Sequence, residues 1–202
     1  MDKKTIAAFQ KITKDIYRTA KIEKREKLTG KYCTIDNYNV ISDGYRIFAT
    51  TAEIDGEKDQ SLNYLRPTIE ATEDFKKSVY LPHPEKLKEA IDKVKALEKQ
   101  KIIVCNLNDE ITVNAVWLLS AIQTIKAAEL KYYDCRHQAI IEDNNSKFVF
   151  MPIAKMYFDK GNRRKWTIST PTDHAFIYVD KNGVPEVIDR RPAAEPQEEA
   201  TA

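Results

Sequence analysis

The sequence predicts an α+β fold, with helices packed on one face of antiparallel sheets. Two observations predict it. Three segments repeat apolar residues at the helical period, and between them lie short runs rich in aromatic and β-branched residues, broken by polar turn residues. With 202 residues, 42% of them apolar and 32% charged, the chain is long enough to bury a real core.

The first helix is expected from about Lys3 to Thr19 or slightly beyond. At 100° per residue Ile6, Phe9, Ile12, Ile16 and Ala20 share one face, while Lys4, Lys11, Lys14, Arg18 and Lys21 share the opposite one. Strands follow at Lys31 to Ile35, Tyr38 to Ile41 and Tyr45 to Thr51, broken at Asp36-Asn37 and Asp43-Gly44. Asp55 to Asp74 is polar and irregular and reads as a long loop with at most one short strand. After a strand at Ser78 to Leu81, Pro84 suits the first turn of a second helix, Glu85 to Lys99, with Leu87, Ala90, Ile91, Val94 and Leu97 on one face. Ile102 to Leu107 and Glu110 to Val113 flank Asn108-Asp109 as a hairpin, and a third helix follows at Val116 to Lys126. Leu130 to Asp134, Gln138 to Glu142 and Lys147 to Ile153 are three further strands, and Ala175 to Val179 is one more before a turn at 180–183. From Arg191 onward, prolines and glutamates leave nothing to bury, so a disordered tail is expected at 191–202.

The residue types exclude several chemistries. Glycine occurs at only five positions, 30, 44, 56, 161 and 183, so neither a P-loop nor a dinucleotide fingerprint can be built. His83, His137 and His174 are far apart and lack metal-ligand spacing, so no metal and no cofactor is expected. Cys33, Cys105 and Cys135 form no Cys-x-x-Cys pair and read as small apolar residues. Cys135-Arg136-His137 lacks a third group to orient a thiol–imidazole pair, which argues against an enzyme. No apolar run approaches the roughly 20 residues that span a bilayer, and the first residues lack a signal peptide's apolar stretch, so a cytoplasmic protein is expected. The net charge of +2 hides a basic start, with nine Lys or Arg against four Asp or Glu up to Lys27.

Three segments carry a family resemblance: Ser42-Asp43-Gly44-Tyr45-Arg46-Ile47, Asn114-Ala115-Val116-Trp117-Leu118-Leu119, and Phe148-Val149-Phe150-Met151-Pro152-Ile153. In order and local setting they resemble signature segments of the bacterial sliding clamp, the beta subunit of DNA polymerase III. The first is similar to the Thr-Asp-Gly-His-Arg-Leu turn and strand of the clamp's middle domain, and the others to the strand and helix that open, and the hairpin that closes, the clamp's last half-domain. The resemblance implies a DNA-clamp-like fold of about one and a half clamp-type domains. Residues 1–110 would match the middle domain, 111–155 the end of the last domain and 156–190 a C-terminal extension.

It also implies a function without catalysis: a processivity factor that encircles or contacts duplex DNA, without reading sequence, and holds polymerase or other replication-protein tails in an apolar groove. That groove would be lined by Ser42, Gly44, Tyr45, Arg46, Ile47, Asn114, Trp117, Val149, Met151, Pro152 and Ile153. Lys4, Lys11, Lys14, Arg18 and Lys21 would face DNA, and assembly into a homo-oligomeric ring would follow. The compact size fits a phage or mobile-element clamp. Read from residues alone, Trp117, Val149 and Met151 are core residues and the lysine stripe a solvated face. A clamp-derived adaptor that keeps the groove without forming a ring is the alternative. Gln60-Ser61-Leu62-Asn63-Tyr64-Leu65 loosely resembles a clamp-binding motif, which would make the chain a client instead.

Overall fold

A computed structural model describes residues 3–70, 75, 77–135, 137–158 and 164–192. The first helix, α1 (Lys3–Ile22), leads into β1 (Lys31–Ile35), β2 (Tyr38–Ser42) and β3 (Arg46–Thr50). Then come β4 (Glu57–Lys58), a 3-10 turn (Gln60–Leu65) and the short helix α2 (Arg66–Glu70). β5 (Lys77–Tyr80), α3 (Pro84–Leu97), β6 (Val104–Leu107), β7 (Ile111–Asn114) and α4 (Ala115–Ile122) form the middle of the chain. β8 (Glu129–Tyr132), β9 (Ala139–Glu142), β10 (Ser146–Phe150), β11 (Ala154–Phe158), β12 (Arg164–Ile168), β13 (Phe176–Val179) and β14 (Pro185–Ile188) complete it.

The larger sheet has eight strands in the order β4-β1-β2-β3-β10-β9-β8-β5, antiparallel except where β1 meets β4. β10 lies between β3 and β9, with Phe148 opposite Phe48 and Val149 opposite Ile47. That register brings the two ends of the sequence pattern into one sheet. A smaller sheet runs β14-β13-β6-β7, and β11 pairs with β12 apart from both.

The strand period of two assigns side chains to two cores. Ile41, Phe48, Ile141, Phe148 and Phe150 face a core shared with α1, α3, α4 and one face of the smaller sheet. Their neighbours Val40, Ile47, Ala49, Ile140 and Val149 face the opposite side, against Leu28, Leu62, Leu65 and Ile69. The helical period places Phe9, Ile12, Ile16 and Ala20 of α1 inward as expected, whereas Ile6 is exposed. Phe9, Phe48, Phe148 and Phe150 form a run of tilted ring contacts 4.7–6.0 Å apart, tying the helix to the centre of the sheet.

Local chemistry explains the turns. Asp43, Asp143 and Asp180 each accept backbone N–H groups two to four residues on, as turn aspartates do. Asn108 and Asp109 both have positive φ, the conformation of a tight hairpin turn, and join β6 to β7 across the boundary expected at residue 110. Asn114 caps α4, its Oδ1 accepting from the amides of Val116 and Trp117. Pro84 opens α3 as expected.

Two expectations need correction. The polar stretch after Asp55 is a folded unit, because Leu62, Leu65 and Ile69 are spaced to share one helical face and cover the second side of the large sheet. The strand expected to reach Ile153 stops at Phe150, since Pro152 has no N–H to continue the ladder. Beyond Lys155, β13 aligns parallel to β6 and pairs with β14, so Phe176, Ile177 and Val179 of the extension are buried. Of the tail expected at 191–202, Arg191 donates to the Leu97 carbonyl at 2.7 Å and to Asp189, and residues 193–202 lie outside the described residues. No described helix is long and apolar enough to cross a membrane.

Candidate functional site

The Ser42–Ile47 turn is built around a buried ion pair. Arg46, 2% exposed, donates from Nε to Asp43 Oδ2 at 2.7 Å and from one Nη to Asp15 Oδ2 at 2.7 Å and Thr19 Oγ1 at 3.1 Å. Asp43 is fully buried, and its other oxygen accepts the amides of Tyr45 and Arg46, both at 3.0 Å. Gly44 holds φ +87, a conformation that favours glycine, and a Cβ there would stand 1.9 Å from an Arg25 guanidinium nitrogen, which would have to move aside. The turn is therefore rigid, its charges cancelling inside the fold.

On its outer side lies a cavity of about 300 Å³. It is lined by Ser42, Gly44, Tyr45, Arg46 and Ile47 from one segment and by Val149, Phe150 and Met151 from the other. The β3–β10 pairing, extended by the Met151 amide donating to the Tyr45 carbonyl at 2.9 Å, holds the two segments side by side. Met151 and Tyr45 are partly exposed, at 44% and 39%, while Ile47 and Val149 form an apolar floor. Seven of the eleven residues expected to line a groove meet here: Ser42, Gly44, Tyr45, Arg46, Ile47, Val149 and Met151.

The remaining four are placed differently. Trp117 stands behind the cavity wall, stacked on Tyr45 with ring centroids 6.4 Å apart and with the Arg46 guanidinium 4.6 Å from its own ring. Asn114 is the helix cap described above, and Pro152 and Ile153 lead away, the Ile153 amide donating to the Thr112 carbonyl at 2.7 Å.

Sequence reasoning missed Arg25, Leu28, Tyr64, Leu65, Thr68, Gln138 and Phe150, which also line the cavity. Arg25 lies over the Tyr45 ring at 4.5 Å and adds a cation to the rim. The apolar spacing of Leu62, Leu65 and Ile69 was the available signal for part of this set; Arg25 and Gln138 had none. Tyr64 is exposed at the rim while Leu62 and Leu65 are buried, so the client-like stretch is engaged in the chain's own second core.

On α1, Lys11, Lys14, Arg18 and Lys21 are exposed on the side away from the core, and Arg18 donates to Asp15 at 2.6 Å. The Lys4 side chain lies outside the described residues. His137 is bonded to Asp134 at 2.7 Å and His174 to Glu98 at 3.0 Å, in separate places. Among the described residues no group of three or more His, Cys, Asp or Glu could hold a metal. Cys33 and Cys105 are buried, and burial pushes the Cys105 thiol well above its ordinary range, away from reactive thiolate.

Comparison with known proteins gives no matching family model and no significant match to a curated protein. Among solved structures the chain is similar to a protein from Eubacterium rectale ATCC 33656 assigned as a DNA polymerase III beta subunit, with TM-score 0.39 and 14% identity, covering 57% of this chain and 54% of that one. It is also similar to the Helicobacter pylori beta clamp bound to a DNA ligase peptide, with TM-score 0.31 and 18% identity, covering 59% of this chain and 41% of that one. The chain therefore spans about half the length of the first and less than half of the second.

Proposed function

We propose that this protein is a non-enzymatic, clamp-like replication factor that holds an extended protein tail in the cavity between Gly44–Ile47 and Val149–Met151, and lies against duplex DNA through α1. The observation that carries this reading is the cavity itself: two segments distant in sequence, Ser42–Ile47 and Val149–Met151, line a single apolar depression with polar edges. A rigid turn, a flexible Met151 and an aromatic Tyr45 suit a Leu or Phe side chain on an extended peptide.

Binding of a fluorescent Gln-x-x-Leu-Phe peptide, followed by polarisation, tests the tail site. Ile47→Asp puts a charge on the apolar floor and abolishes binding in this reading, and unchanged affinity contradicts it. For the α1 face, duplex binding weakens steeply with salt, and each cation removed lowers the slope by about 0.9. A ring would need further copies of the chain, and mass measurement with and without a nicked circular duplex tests it. A tail-binding adaptor without a ring is the second reading, favoured by the pairing of Arg18 with Asp15, which lowers the charge α1 offers to phosphate. Peptide binding without salt-sensitive duplex binding would select the adaptor.

A further inference from the structure

Asp15 stands between the two surfaces. Its Oδ1 accepts from Arg18 at 2.6 Å and its Oδ2 from Arg46 at 2.7 Å. The Arg18 side chain is 73% exposed, on the face assigned above to DNA, whereas that of Arg46 is 1% exposed, in the wall of the cavity. From Arg46 the contacts continue to the face of Trp117 and on to Tyr45, which lines the cavity. A single carboxylate thus joins one cation from each surface.

We propose that Asp15 is a positioning residue that couples the α1 face to the tail cavity, so that a polyanion bound at Arg18 is sensed at Trp117. The inference rests on the reading of α1 and the cavity given above. Arg46 sits between two carboxylates, Asp43 and Asp15, and Arg18 brings the cluster of two acids and two arginines to neutrality. A phosphate that takes Arg18 leaves Arg46 as the cluster's one cation, shared by two anions. Charge-assisted hydrogen bonds are short and strong at low local dielectric, so Asp15 then draws the guanidinium toward α1 and away from the indole it lies on. The Tyr45–Trp117 wall shifts with it. By linkage, the factor by which bound duplex changes tail affinity is the factor by which bound tail changes duplex affinity.

The chain has two tryptophans, so a Trp166→Phe background leaves Trp117 as sole reporter. A short fluorescein-labelled duplex is titrated in at low salt. Anisotropy reads its binding, and a parallel titration with the unlabelled duplex reads Trp117 emission. The expected result is an emission change that saturates at the same midpoint as anisotropy. It is lost in Asp15→Asn and also in Arg18→Ala, whose duplex affinity is lower by one phosphate contact, so both variants are compared at duplex concentrations that anisotropy shows to be saturating. Should Asp15→Asn fail to fold, Arg18→Ala carries the test. Duplex binding with silent Trp117 emission, or an emission change that persists in the variants, overturns the coupling and leaves the DNA-facing reading standing. Absence of duplex binding at any salt overturns that reading and the coupling with it.

Discussion

Replacing Arg46 by Met keeps an apolar stem of similar length and removes the guanidinium. Asp43, fully buried, then loses the one side-chain cation it has among the described residues, although its Oδ1 retains the amides of Tyr45 and Arg46. Asp15, 31% exposed, keeps Arg18 and water, so the unmet group is one buried oxygen, Asp43 Oδ2. Breaking a buried pair costs about 3–5 kcal/mol, and the two surviving amide bonds put this case at the low end, about 3 kcal/mol. Loss of the contact with the Trp117 face adds about 0.5–1 kcal/mol. For a chain of this size the sum lowers Tm by roughly 10 °C. Urea denaturation of the wild type, Arg46→Met and Asp43→Asn/Arg46→Met measures it. The double variant recovers about 1–2 kcal/mol, because Asn still accepts the two amides and leaves no buried charge. A loss under about 1 kcal/mol in the single variant, or no recovery in the double, refutes the turn as an ion-pair-centred unit.

Further outcomes follow from the same geometry. Gly44→Ala costs about 1–2 kcal/mol from its left-handed φ, and its Cβ displaces Arg25 from the rim; thermal unfolding and peptide polarisation together check that stability and tail affinity fall. Leu62→Ala, at a side chain 1% exposed, costs about 2–5 kcal/mol, whereas a residue in a solvated loop would cost under about 0.5 kcal/mol. Asp59 caps the 3-10 turn, and hydrogen bonds from Ser61 and Lys31 hold its carboxyl down at about 2. A depressed folded value means its contribution is present above the ordinary 3.8 and is lost as pH falls toward about 2. Protection from hydrogen exchange in residues 60–70, taken relative to the intrinsic rate at each pH, therefore falls across that window, and Asp59→Asn flattens the dependence.

How much of this was legible in the sequence depends on how local each signal is. α1 and α3 follow from period alone, because each buries one stripe and exposes the other, while α4 shows a buried stripe of Ala115, Leu118 and Ala121. β1, β2 and β3 were readable from β-branched runs bounded by Asp-containing turns. The pairing of β10 with β3 was not readable as such, and only the family resemblance suggested that Ser42–Ile47 and Val149–Met151 belong together. The fold of residues 60–70 was hidden because its apolar residues, Leu62, Leu65 and Ile69, sit among polar ones in two elements too short to show a full period. Arg25 reaches the cavity only because the chain after α1 turns back over Gly44, a tertiary event with no local signature. Likewise, the parallel alignment of β13 with β6 joins residues about 70 apart and could not be read from either strand.

In the proposed function the cavity between the two segments receives a protein tail. Methyl-selective NMR of Ile47, Val149 and Met151 during titration with a Gln-x-x-Leu-Phe peptide reads that binding at the cavity itself. Saturable shifts at those three methyl groups, with Val104 and Ile188 in the smaller sheet unmoved, are the predicted result. Shifts confined to the smaller sheet or to α1, with the three cavity methyls unmoved at saturating peptide, would contradict it.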